Sequence, residues 1–128
     1  MGDARWGESR AGDSWSERGA GTALMTGIAL LALILVAVAG VFVLAASAAS
    51  KAATAADLAA LAAADSARGL APGQPCEIAG TVAAQHGARV EQCLVEDPAT
   101  GTVLIRVTVD GPGLLPRAAG AARAGAPP

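Results

Sequence analysis

The two cysteines, Cys76 and Cys93, are the residues of this sequence that most directly suggest a chemical role. Both follow a long apolar segment, and paired cysteines on one side of such a segment are typical of an oxidising compartment. Their spacing differs from the C-x-x-C pattern of redox-active thiols. We therefore predict a structural disulfide bond, which closes a loop of about 18 residues and contributes about 3 kcal/mol in the chain-entropy description. The alternative is two reduced, unrelated thiols.

The other reactive side chains form no catalytic constellation. His86 is the only histidine, so a multi-histidine metal cluster is excluded, and no nucleophile motif accompanies it for a Ser-His-Asp triad. With the two cysteines it could supply three zinc ligands, but the spacing matches no common zinc site. Its place before Gly87 favours a solvated helix end, and Glu96 and Asp97 open a predicted turn. We expect no enzyme, cofactor or metal site.

The composition argues against nucleic-acid binding and against a large soluble core. The 128 residues carry a formal net charge of −2, and no run of Lys or Arg supplies a basic surface for nucleic acid. The aromatic residues Trp6, Trp15 and Phe42 all lie near the beginning of the chain. Everything after them must pack with Leu, Ile, Val and Ala, which predicts a thin core that needs additional support.

An uncharged segment between Arg18 and Lys51 predicts a membrane-spanning helix. Residues 23–46 read ALMTGIALLALILVAVAGVFVLAA, with one threonine as the only polar side chain. As a helix this segment is about 36 Å long, enough to cross a hydrocarbon layer of about 30 Å with some tilt. A buried helix of a soluble protein is the alternative, but it needs an apolar partner surface that the remaining sequence lacks. We therefore expect membrane lipid to surround residues 23–46.

A cleavable signal peptide is the main competitor to a retained membrane anchor. The small residues Ala46-Ser47-Ala48 resemble a signal-peptidase site. The apolar segment is longer than the roughly 7–15 residues of the apolar region within a signal peptide, however, and the residues before it mix acidic and basic side chains. We predict a retained anchor. Three arginines precede the segment, against Lys51 and Arg68 soon after it, which favours a single pass through the cell membrane with a cytoplasmic N-terminus and an exported C-terminal module.

Residues 19–69 are predicted to form one long helix that contains this span. Alanine, the best helix former, dominates the part after the span, and Gly69, Leu70 and Pro72 together are a stop signal. Small and apolar residues at helical spacing also predict two surfaces for packing against other helices or a sheet. These residues are Gly19, Ala23 and Gly27 at the start of the span, and Ala55, Leu58, Ala59, Leu61 and Ala62 after it.

The remaining sequence predicts an α+β fold. The exported module at 70–110 comprises a short helix at 76–86, a strand at 88–96, a turn at 97–101 and a strand at 102–110. Alternating Val103, Ile105, Val107 and Val109 give the second strand one apolar face, which we expect to lie against the exposed part of the long helix. Residues 1–18 are expected to be a flexible cytoplasmic tail, and the Gly-, Pro- and Ala-rich residues 111–128 to be disordered.

The layout of the chain resembles that of the TadE-like proteins, in particular the actinobacterial group found near a helicase and a secretion ATPase. The resemblance covers about residues 17–110 and rests on Arg18-Gly19, on the ADLAALAA motif at 56–63, and on Cys76 and Cys93. It implies a pilin-like fold and a non-catalytic role in a Tad/Flp-type pilus assembly or secretion system. The implied partners are other membrane proteins of that apparatus, reached through helix packing.

The sequence departs from pilin precursors at one point. Such precursors are cut after a glycine and carry a glutamate five residues into the mature chain. Here the fifth residue after Gly19 is Leu24, and the fifth after Gly21 is Thr26. The resemblance therefore does not extend to the usual peptidase processing and filament entry.

Two other classes of function stay open at the level of sequence. The first is a secreted, small disulfide-bonded binding protein from which residues 1–48 have been removed as a signal peptide. The second is a membrane-bound enzyme subunit or regulator that has no active site of its own. The N-terminus of the mature protein separates the first class from a retained anchor, and co-purifying proteins separate the second. The oligomeric state has no signature in the sequence.

Overall fold

A computed structural model describes Gly2 and residues 13–127, and it has the α+β architecture that the sequence predicts. The chain divides into two compact units, Met1–Gly40 and Val41–Pro128, and we call the second one the head unit. Along the chain the elements are helix α1 at Asp13–Ala67, helix α2 at Pro75–Gln85, and strands β1 at Ala88–Asp97, β2 at Thr102–Val109 and β3 at Ala118–Ala124. The strands form one antiparallel sheet in the order β1-β2-β3.

Helix α1 begins earlier than predicted. Its first residue is Asp13, whereas the sequence placed the start at residue 19. Residues 13–18 contain neither glycine nor proline, so their backbone has no intrinsic helix breaker. This part of the predicted flexible tail is therefore helical, and residues 1 and 3–12 lie outside the described part of the chain.

The end of α1 follows the predicted stop signal. The backbone N–H of Leu70 donates to the carbonyl oxygen of Asp65 at 2.9 Å, and that of Gly69 donates to Ser66 at 3.0 Å. This pair of hydrogen bonds defines a Schellman motif, which requires a left-handed residue at its turn. Gly69 supplies it with a φ of 75°.

Helix α2 and the β1–β2 hairpin agree with the predicted module to within one residue at each end. Pro75 lies in the first turn of α2, where a missing N–H costs no helical hydrogen bond. In the hairpin, Val90 lies opposite Val107 and Val95 opposite Val103. These apolar pairs lie on one face of the sheet, as the alternation in the sequence predicts.

Strand β3 corrects the prediction that residues 111–128 are disordered. Ala118–Ala124 pairs antiparallel with β2 along its whole length, with Gly120 opposite Val107. The sequence AAGAARA has no polar–apolar alternation and a weak intrinsic strand propensity, so no local signal predicts a strand. Its side chains are small enough, however, for its backbone to lie directly against α1.

The contact between β3 and α1 is made by backbone atoms. A Cβ atom built on Gly120 would overlap the carbonyl group of Ala52 and lie 2.9 Å from the nitrogen of Ala53. Any side chain larger than hydrogen at position 120 would therefore push the strand away from the helix. Glycine is needed here for close approach, since its φ is not in the left-handed region.

The core of the head unit combines alanine from the helices with larger β-branched residues from β2. Val103, Ile105 and Val107 are its largest fully buried side chains. The buried members of this core that come from the helices are all alanines, and Val82 of α2 packs against them partly buried; the alanines are Ala52, Ala55, Ala56, Ala59, Ala60, Ala63 and Ala64 from α1 and Ala79 and Ala83 from α2. The predicted contact between the apolar face of the hairpin and the helix after the span is thus confirmed.

Candidate functional site

The most extensive exposed surface of the described chain is the apolar part of α1. Every residue from Gly19 to Ser47 is exposed, including Leu33 at 67% and Phe42 at 70% of full accessibility. The apolar stretch has a mean hydropathy of 3.1, and none of it is buried in the molecule. This helix is therefore a candidate membrane span by length and composition.

The predicted packing residues at the start of the span lie on this exposed surface. Gly19, Ala23 and Gly27 are spaced four residues apart and are fully or largely exposed. A Cβ atom built on Gly19 or Gly27 meets nothing within 4 Å outside its own helix. The described part of the chain thus brings no element against this small-residue face.

The predicted packing residues after the span are divided between two faces of α1. Ala55 and Ala59 are fully buried beneath the sheet, whereas Leu58 and Leu61 are 39% and 57% exposed and Ala62 is half-buried. The buried face is rotated relative to the predicted stripe because the sheet approaches too closely for leucine. The sheet therefore covers the alanine-only side of α1, and the two leucines face outwards.

Cys76 and Cys93 are joined by a disulfide bond in the head unit, with their Cα atoms 5.8 Å apart. Cys76 lies in the first turn of α2, and Cys93 lies in β1 opposite Ile105. The bond therefore ties α2 to the sheet at a point where the alanines of α2 contribute little side-chain volume. Cys76 is exposed and Cys93 packs partly against the core, which fits a structural cross-link.

His86 and Glu96 lie where the hairpin module places them. His86 is the C-cap of α2, and its backbone N–H donates to the carbonyl oxygen of Ala83 at 3.0 Å. The sequence predicts that Glu96 is a solvated turn residue. In the structure its carboxylate forms an ion pair with Arg123 of β3, with 2.5 Å between Oε2 and Nε. Arg123 reaches across β2 to β1, so the pair helps to hold β3 in the sheet. Sequence reasoning missed this pair because it missed β3.

The turn of the β1–β2 hairpin is organised by the carboxylate of Asp97. The backbone N–H of Ala99 donates to Oδ1 and the hydroxyl of Thr100 donates to Oδ2, each at 2.9 Å. These two hydrogen bonds hold the pKa of Asp97 below its ordinary value, and the one from the backbone N–H of Ala99 has the larger effect. Both contacts favour the charged carboxylate, which can accept at either oxygen.

This pKa shift predicts an acid-sensitive turn. Because the folded pKa is lower than the unfolded one, the charged carboxylate stabilises the hairpin at pH values above the unfolded pKa. That contribution is lost as the pH falls through the folded pKa. Asp97→Asn keeps an acceptor for Ala99 but no longer titrates, so it should flatten this acid limb when head-unit unfolding is measured against pH. An unchanged acid limb in Asp97→Asn would contradict the assignment.

Among the described residues, no three His, Cys, Asp or Glu side chains lie close enough together to hold a metal ion. The comparisons with protein-family models, curated proteins and solved structures find no match to this chain. The candidate functional surfaces are the apolar helix, the outward leucines of α1 and the exposed side of the disulfide-linked head unit.

Proposed function

We propose that this protein is a single-pass membrane protein whose disulfide-bonded head unit is exported. The observation that carries the proposal is the complete exposure of the apolar stretch of α1. For a helix of this hydropathy, the transfer of its side chains from water into hydrocarbon is favourable. The disulfide indicates the orientation of the chain across the membrane, because such a bond persists in an oxidising compartment outside the cytoplasm. The N-terminus is then cytoplasmic.

The proposed role is non-catalytic and lies in a Tad/Flp-type pilus assembly or secretion system. This part rests on the resemblance of residues 17–110 to TadE-like proteins, and the outward leucines of α1 are compatible with it. Leu58 and Leu61 lie one turn apart on the side of α1 that the sheet leaves open. They offer a contact for another membrane protein of the same apparatus, while lipid surrounds the span.

A specific feature also favours the alternative of a secreted binding protein. Ala48, the last residue of the signal-peptidase-like sequence, is buried, whereas every residue of α1 from Gly19 to Ser47 is exposed. Cleavage after it would leave nearly all of the alanine face attached to the sheet. A secreted product beginning at residue 49 would therefore retain most of the core.

The first test is the mass and location of the mature protein. We expect the full-length chain to remain in the membrane fraction after alkaline extraction, with the mass of an unprocessed or minimally trimmed polypeptide. Purified from that fraction, it should carry other components of a Tad-type apparatus with it. Ala46→Phe, which blocks signal-peptidase recognition at an exposed position, should change neither its mass nor its location.

Two outcomes would reject this proposal. A mature chain beginning near residue 49 in wild type, converted to full length by Ala46→Phe, would establish the secreted alternative. Recovery of an intact membrane protein bound to a single enzyme, with no component of a pilus or secretion apparatus, would favour an enzyme subunit or regulator.

A further inference from the structure

The loop between β2 and β3 presents a leucine to solvent at the tip of a tight turn. The backbone N–H of Leu115 donates to the carbonyl oxygen of Pro112 at 3.2 Å, and Gly113 has a φ of 61°. Positive φ at the first central residue alone is the signature of a type II′ turn. Leu114 is the second central residue and is fully exposed, at 105% of its reference accessibility. No contact within the head unit accounts for an apolar side chain here.

The position of this loop along α1 follows from the direction of β2. At the start of β2, Gly101 lies against Arg68 and Ala64, near the C-terminal end of the helix. At its other end, the loop residues Pro112 and Leu115 line a cleft together with Ala45 and Ala48. Strand β2 thus runs back along the helix, and the loop lies beside the last residues of the apolar segment.

Basic side chains surround the base of the same loop. The Asp110 carboxylate pairs with the guanidinium groups of Arg89 and Arg117, with N–O distances of 2.8 and 3.2 Å. Lys51 lines a cleft with Asp110 and with Leu44 of the apolar segment. Among these side chains, one carboxylate is paired with two arginines and Lys51 lies beside the same cleft, so positive charge exceeds negative charge at the place where a lipid headgroup layer would begin.

We propose that the β2–β3 loop enters the interfacial layer of the membrane, with Leu114 among the acyl chains and Lys51, Arg89 and Arg117 at the level of the headgroup phosphates. This inference rests on the proposed function, since it requires the apolar part of α1 to lie in the bilayer. It adds a second lipid contact that lies far from the span in sequence. The arrangement of an apolar tip beneath a basic rim is that of interfacial membrane-binding segments.

The proposal is tested by placing a polarity-sensitive fluorophore on Leu114→Cys in the full-length protein. The two native cysteines are bonded to each other, so the introduced thiol is the single reactive one. The protein is reconstituted into vesicles of phosphatidylglycerol and phosphatidylcholine in which bromine is absent, placed near the glycerol, or placed near the ends of the acyl chains. We expect a blue shift and a loss of emission specific to brominated lipid. Leu114 buries nothing, so its replacement leaves the fold intact.

Two control positions separate this inference from the proposed anchor. A fluorophore on Leu35→Cys, inside the apolar segment, should also be quenched by brominated lipid, whereas one on Leu70→Cys, exposed at the far end of α1, should emit as in water. Quenching at position 35 with water-like emission at 114 would overturn the loop proposal and leave the anchor standing. Absence of quenching at position 35 would overturn both. A blue shift at 114 without bromine quenching would indicate burial against protein and would also overturn the loop proposal.

Discussion

Removing the disulfide bond with Cys76→Ala and Cys93→Ala should cost the head unit about 3 kcal/mol of unfolding free energy, the chain-entropy value for a loop of this size. Small domains have a total stability of about 5–15 kcal/mol, and the buried residues that the helices contribute to the core of this head unit are all alanines. Hydrogen exchange of the β1 and β2 amides in the full-length, detergent-solubilised protein measures the effect. Protection of these amides should fall by about a hundredfold, the factor that corresponds to this free energy.

Wild-type protein under reducing conditions is the matched control, because it keeps both sulfur atoms while losing the cross-link. It should lose nearly as much protection as the double variant, since Cys76 is exposed and makes little packing contribution. If the reduced protein kept full protection while the variant lost it, the effect would come from side-chain packing. Full protection in both would show that the bond does not stabilise the fold.

Gly120→Val should detach β3 from helix α1. The new side chain would have to occupy the space of the Ala52 carbonyl group, and backbone at a helix has little room to yield. Overpacking of this kind costs about 1–3 kcal/mol. The amides that pair β2 with β3 should therefore exchange faster in the variant, whereas those between β1 and β2 should keep more of their protection.

Ala121→Val provides the control on the same strand. Residue 121 is exposed on the opposite face of the sheet, and surface substitutions of this kind change stability by about 0.5 kcal/mol or less. Valine also has the higher strand propensity. Equal destabilisation by the two substitutions would mean that the loss at position 120 reflects strand chemistry in general and not the contact with Ala52.

The parts of the fold that could be predicted are those whose signals are local. Strand β2 alternates valine and isoleucine with polar residues except at Leu104, and α1 is followed by the glycine that the Schellman motif requires. The span has no charged side chain to obscure it. The cysteine pair could be placed because the chain has only two cysteines. Apart from the cysteine pair, which was placed by count, each of these features has its physical cause within a single segment of the sequence.

The parts that could not be predicted depend on contacts between distant segments. Strand β3 consists of alanine, glycine and one arginine, and it is a strand because Gly120 can touch the backbone of Ala52 and Arg123 can reach Glu96. Likewise, the buried face of α1 is set by how closely the sheet approaches. Hydrophobic periodicity gives leucine more weight than alanine, so it selected Leu58 and Leu61, which are exposed.

The alanine face of α1 reverses the usual relation between side-chain size and tolerance to change. In most proteins the large buried residues are the vulnerable ones, because truncating them opens cavities. Here the positions along Ala52–Ala64 that face the sheet have almost nothing to truncate, and at Ala52 the backbone of β3 lies so close that the strand must carry a glycine there. On this face of the head unit we therefore expect substitutions that add atoms to the smallest residues to be more damaging than substitutions that remove them.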